Sequence, residues 1–239
     1  MPDTLHKSCT GDRPAWKHWA TQCVFLAFVV TLGGWTTPAS SQSPGKQTAA
    51  TAPAARIMVY GDSLSAAYNI DPAKGWVALM ADRLKQTQPK VVVINASISG
   101  ETTTGGRSRL ATDLARHKPT HVLLQLGAND ALRGLPLSAT RSNLDAMLQQ
   151  IRSAGAVPVL IGIQIPPNYG PEYSQEFRNL YPELAKQRKT ALVPFLLEGI
   201  ADKPELFLPD GLHPAVAAQP RLLENVWPVL QTALRGKSA

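Results

Sequence analysis

Cysteine is almost missing from this chain of 239 residues: there are two, Cys9 and Cys23. That excludes a disulfide scaffold and a four-thiolate zinc site. Histidine is also sparse, at five residues. His117 and His121 are four apart, but Pro119 between them breaks any shared helix face and no third ligand is near, so no metal or cofactor is expected. No apolar run reaches the ~20 residues that span a bilayer. Runs of five or six like charges are absent too. The formal net charge of +7, from 24 Lys+Arg against 17 Asp+Glu, is scattered over short segments without interleaved aromatics. Such a distribution suits solubility or a mild preference for anionic surfaces rather than a nucleic-acid interface. Disorder is excluded as well, because 44% of residues are hydrophobic and only 17% charged.

What is present divides in two. Lys7, Arg13, Lys17 and His18 precede an apolar stretch from Cys23 to Leu32, followed by Gly33, Gly34 and the small residues around Ala39. A basic start, a short apolar middle and a small-residue exit are the parts of a secretory signal. Residues 1–39 are therefore expected to be a signal peptide, with an uncleaved anchor as the alternative, and the protein to be periplasmic or secreted. Residues 40–55, rich in Ser, Gln, Thr, Ala and Pro, suit a flexible linker. The domain is expected at 56–236.

From Arg56 onward, apolar runs alternate with helical stripes. Ile57–Tyr60, Val91–Ile94, Val122–Leu126, Val157–Ile163 and Ala191–Leu196 are candidate strands, the last confined to an edge by Pro194. Between them, apolar residues recur at helical spacing around Trp76–Leu84, Leu110–Leu114, Leu144–Ile151 (Ser138 as N-cap, Gly155 as stop), Phe177–Leu184 and Leu223–Leu230. Pro182 and Pro228 predict kinks or breaks in the last two. Continuous apolar strands separated by helices predict a parallel sheet covered on both faces. The expected fold is a three-layer α/β/α domain with a flavodoxin-like five-stranded sheet, order 2-1-3-4-5.

Ligands of such sheets bind at the carboxyl ends of the strands. The polar residues collect there: Gly61-Asp62-Ser63-Leu64-Ser65 after the first strand, Asn95-Ala96-Ser97-Ile98-Ser99-Gly100 after the second, Gly127-Ala128-Asn129-Asp130 after the third, and Asp210-Gly211-Leu212-His213-Pro214 before the last helix. Ser63, expected to open a helix, is a turn residue or cap as readily as a nucleophile. Asp210 and His213 make either a cap beside a surface histidine or a carboxylate that fixes an imidazole tautomer. Asn129 and the Gly100 N–H are either turn groups or donors to an oxyanion. Their joint occurrence, in this order at one sheet edge, points to acyl transfer.

Together these blocks resemble the SGNH/GDSL hydrolases, and within them the bacterial thioesterase I/protease I, lysophospholipase and arylesterase group. The resemblance covers essentially all of residues 56–235 and extends to Leu132-Arg133-Gly134 and Pro166–Gly170. Ala128 stands where many relatives have Gly. The resemblance implies Ser63 as nucleophile, His213 as general base and Asp210 as its orienting partner, with the Ser63 and Gly100 N–H groups and the Asn129 amide as oxyanion hole. It also implies a small acyl-ester or lipid-like substrate, with Leu132, Leu135, Pro136 and Tyr169 as candidate substrate-binding residues; the leucines serve equally as packing. Transient contact with anionic envelope lipids is an expected partner interaction. The alternatives are an SGNH-fold carbohydrate O-deacetylase and a non-catalytic flavodoxin-like module holding phosphate on the Ser63–Ser65 turn.

Overall fold

The computed structural model describes residues 55–236. The expected signal peptide and nearly all of the expected linker lie outside the described residues. Five parallel strands form one sheet: β1 (Ala55–Gly61), β2 (Val91–Asn95), β3 (His121–Gln125), β4 (Val157–Ile161) and β5 (Ala191–Val193). Their order is β2-β1-β3-β4-β5. The central strands β1 and β3 are buried almost throughout because helices cover both faces.

Helices α1 (Trp76–Thr87) and α6 (Gln219–Arg235) pack together on one face. On the other lie α2 (Thr103–His117), α4 (Leu137–Ser153) and α5 (Pro171–Arg188), and a short α3 (Ala128–Leu132) sits after β3. The stripes read from sequence supply the core: Trp76, Met80 and Leu84 from α1, Leu144, Met147, Leu148 and Ile151 from α4, and Leu222, Leu223, Val226 and Leu230 from α6 are all buried.

Several local expectations are corrected. Pro182 and Pro228 lie inside continuous helices. Both face solvent, as do Arg178 and Glu224 four residues earlier, so water can take the carbonyl that each proline leaves without a donor. The N-cap of α4 is Pro136, with no side-chain bond, rather than Ser138. Gly155 does follow α4 with φ of 78°, the left-handed backbone that favours glycine after a helix. The fourth strand ends at Ile161 instead of Ile163, although its backbone keeps pairing: Gly162 N–H donates to Val193 O at 2.8 Å and Leu196 N–H to Gly162 O at 3.0 Å. A Cβ on Gly162 would stand 2.2 Å from Pro194 O, so only glycine fits this approach. Pro158 is tolerated in the inner strand β4 because Val157 N–H bonds toward β3, at Thr120 O. The nitrogen of Pro158 then faces β5, whose pairing begins only at Val159.

Candidate active site

The first three polar blocks are drawn together by backbone bonds that continue the sheet. Past the end of β2, Ala96 N–H donates to Val59 O at 2.8 Å and Ile98 N–H to Gly61 O at 3.0 Å, placing the Gly100 loop beside the Ser63 turn. Asn129 Nδ2 donates to Glu101 O at 3.0 Å and ties the third block to the second. The last block comes from a hairpin-like loop: Leu208 N–H donates to His213 O and Ala215 N–H to Leu206 O, both at 2.8 Å, leaving Asp210 and His213 near its tip.

Trp76 fastens the two halves to each other. Its indole Nε1–H donates to Leu64 O at 3.1 Å, next to Ser63. Its backbone N–H donates to Gln219 Oε1 at 3.0 Å, and Gln219 Nε2 in turn donates to Pro214 O at 3.1 Å, next to His213. Both side chains are buried, so these are satisfied interior bonds and hold geometry well.

The result is a continuous relay. His213 Nε2 lies 2.8 Å from Ser63 Oγ, and His213 Nδ1 lies 2.8 Å from Asp210 Oδ2. An ionised carboxylate only accepts, so Nδ1 carries the proton and Nε2 is left to accept from the serine hydroxyl. Asp210 Oδ1 also accepts from the His213 and Leu212 backbone N–H groups, at 3.0 and 2.9 Å. The His213 N–H bond, above all, holds the Asp210 carboxyl down to about 2; burial opposes it, and the Leu212 N–H and the imidazole add to the lowering. Tyr68 packs its ring against His213, centroids 4.4 Å apart, and limits the rotation of the imidazole.

The expected helix after Ser63 is instead a series of tight turns. Asp62 N-terminal to it is fully buried: its Oδ1 accepts from Leu64 N–H and Gln125 Nε2, both at 3.0 Å, while its Oδ2 has no partner. Burial raises the Asp62 carboxyl to about 6, and the bonds from Gln125 and Leu64 only partly offset this. Ser65 Oγ donates to Gln125 Oε1 at 2.6 Å and is buried. With that hydroxyl turned inward and no helix N-terminus at Ser63, the phosphate-cradle reading of this turn loses its basis.

Three N–H groups of these blocks have no acceptor among the described residues. Among the described residues, neither the Ser63 N–H nor the Gly100 N–H donates to a protein acceptor. Asn129 has one amide hydrogen engaged by Glu101 and a second unengaged. Gly127, with φ of 121°, turns the chain so that α3 starts here and presents Asn129.

Ser63, Asn129 and His213 line a cleft of about 580 Å³. Leu132 lines it as well; Leu135, Pro136 and Tyr169 do not, and all three are exposed. The apolar wall comes mainly from residues that sequence reasoning missed: Ile163 and Ile165 after β4, Phe195 and Leu197 after β5, and Phe207 before the histidine loop. The alternation Ile161-x-Ile163-x-Ile165, running on beyond the strand, was the available signal. His121, considered above as a ligand, has Nδ1 at 2.9 Å from Thr120 Oγ1 and Nε2 at 3.3 Å from Ala233 O.

Comparison with known proteins shows the family to which the chain belongs. The model of the GDSL-like Lipase/Acylhydrolase family matches residues 59–219. Esterase TesA of Pseudomonas aeruginosa is 50% identical over 183 residues, covering 77% of this chain and 91% of that protein. Thioesterase 1/protease 1/lysophospholipase L1 of Escherichia coli K12 is 42% identical over 164 residues, covering 69% and 77% respectively. A crystal structure of TesA superposes with a TM-score of 0.73 at 50% identity, covering 74% of this chain and 99% of that one. The chain belongs to the GDSL-like lipase/acylhydrolase family of SGNH hydrolases.

Proposed function

We propose that this protein hydrolyses acyl esters and thioesters through an acyl-enzyme on Ser63. The observation that carries this is the unbroken Ser63–His213–Asp210 relay opening on an apolar cleft. As Ser63 Oγ adds to the carbonyl carbon, His213 Nε2 takes its proton, and Asp210 supports the imidazolium that forms. The oxyanion is received by the Ser63 and Gly100 N–H groups and the Asn129 amide. Collapse breaks the bond to the leaving oxygen or sulfur, which takes the proton from His213. Water, deprotonated by the same His213, then releases the acid and restores Ser63.

The wall of Ile163, Ile165, Phe195, Leu197 and Phe207 suits an alkyl or aryl acyl group, so arylesters, lysophospholipids and acyl thioesters are the substrate classes. The leader composition supports export to the periplasm or medium. Tyr68, Ile98, Leu135, Tyr169, Leu212 and Val216 are exposed large apolar side chains in the connections at this edge of the sheet, Tyr169 and Val216 within short 3-10 helices. With the basic net charge, they support transient contact with anionic envelope lipids.

The test is turnover of nitrophenyl esters from acetate to palmitate, and of an acyl thioester. Wild-type turnover is expected to fall by a factor of ~10⁴ or more in Ser63→Ala. Retained turnover in that variant overturns the assignment.

A further inference from the structure

We propose that Ser174, Arg178 and Gln164 form a polar subsite in the cleft that receives an anionic oxygen group carried by the substrate away from the scissile bond. This rests on the ester-hydrolase reading. None of the three belongs to the catalytic blocks: Ser174 and Arg178 come from α5, and Gln164 from the segment after β4, yet all three line the same cleft as Ser63 and His213.

Ser174 is the anchor of the argument. It is only 9% exposed, and its Oγ is buried without a hydrogen-bond partner. Folded chains rarely leave a buried hydroxyl unpaired, and this one lies under the wall of a cleft, where rotation about χ1 would offer it to a ligand atom. Arg178 lies four residues on, one turn along α5, and is a solvent-exposed residue at the edge of the cleft. It makes no ion pair or hydrogen bond with the described residues, although Arg141, Arg188, Arg109 and Arg83 all do. Gln164, half-buried, likewise has no protein partner among them.

The chemistry of the set favours an oxyanion over a neutral group. Arg178 carries a guanidinium, which offers only donors in a planar fork that matches an oxyanion. Ser174 adds one donor and the Gln164 amide two. Ser174 closes the first turn of an 18-residue helix, whose positive end it shares with the Glu172 carboxylate. A carboxylate at the far end of the acyl chain and a phosphate on the alcohol share this chemistry.

Both sources are tested by paired substrates. In the first arm, nitrophenyl hexanoate is compared with the mono-nitrophenyl ester of adipic acid, which has the same chain length and a terminal carboxylate. In the second, hexanoyl glycerol is compared with hexanoyl glycerol phosphate. The readout is the charged-to-neutral ratio of kcat/KM, which divides out any general effect of a variant on folding or chemistry. Arg178→Ala is expected to lower the ratio about tenfold in at least one arm, mainly through KM. Ser174→Ala lowers the same ratio several-fold, Arg178→Lys retains most of it, and added salt shrinks it. The responding arm identifies the part of the substrate that carries the anion. Unchanged ratios in both arms, with neutral esters still turned over, overturn the subsite alone. Absence of turnover for every ester overturns the hydrolase reading and the subsite with it.

Discussion

Asp62 offers a sharp thermodynamic prediction, because a carboxyl with no exposed surface adjoins the nucleophile. Unfolded, it loses its proton near 3.8; folded, near 6. Between those values the folded state holds a proton that the unfolded state has released, so stability falls as pH rises through the window and levels off above it. At ~1.4 kcal/mol per unit, the displacement amounts to about 3 kcal/mol. Asp62→Asn removes this titration. It also introduces a constant cost, since an amide N–H in place of Oδ2 meets no acceptor there, roughly 1–3 kcal/mol at any pH. Because that cost does not titrate, the test is the pH dependence of the difference between the two proteins. Urea unfolding at about pH 4 and about pH 8 should show the wild type losing about 2–3 kcal/mol relative to the variant. Asp210 does not confound the comparison: its depressed carboxyl changes stability below its unfolded value and is common to both proteins. A difference that is equal at both pH values would refute the account of Asp62 as a buried, reluctant acid.

Two further outcomes follow from the site geometry. Asn129→Ala removes an oxyanion donor on the cleft wall and should cost ~10²–10³ in kcat with little change in KM, measured on a short nitrophenyl ester. Trp76→Phe leaves the buried Leu64 carbonyl without its indole donor and should destabilise the fold by roughly 1–3 kcal/mol in urea unfolding. The same variant loosens the turn that holds Ser63, so its kcat should fall as well.

The strands and the helix stripes were legible in the sequence because each follows one local rule, and the strand order because alternating sheets of this kind share a common one. Val122–Leu124 reads as a buried strand wherever it is placed, and Met147-Leu148-Ile151 reads as one face of a helix. The meeting of the polar blocks at one edge was legible because their residue types are rare in combination: a serine after the first strand, an Asn after the third and Asp-x-x-His before the last helix. The substrate wall was not. Leu135 and Pro136, just before α4, and Tyr169, in the Pro166–Gly170 segment, are exposed, whereas Phe195 and Phe207 reach the cleft from segments with no motif. Which apolar residue faces a cleft depends on how several loops pack together, and that carries no period. Pro182 and Pro228 teach the same lesson in reverse. A proline is a breaker by local rule, yet helices anchored by buried Leu180, Leu184, Val226 and Leu230 run through both. The link from Trp76 through Gln219 to Pro214 spans 143 residues in its first bond and has no local signature at all.

The central claim, that Ser63 is an acylated nucleophile activated by His213, is tested most directly by covalent trapping. The protein is treated with a nitrophenyl phosphonate ester and the site of attachment is read by mass spectrometry of peptides. One adduct per chain on Ser63 is expected, with nitrophenol release and loss of esterase activity in proportion. The adduct should be absent in Ser63→Ala and form far more slowly in His213→Ala. Attachment at another residue with full loss of activity, or full activity with Ser63 modified, would contradict the account.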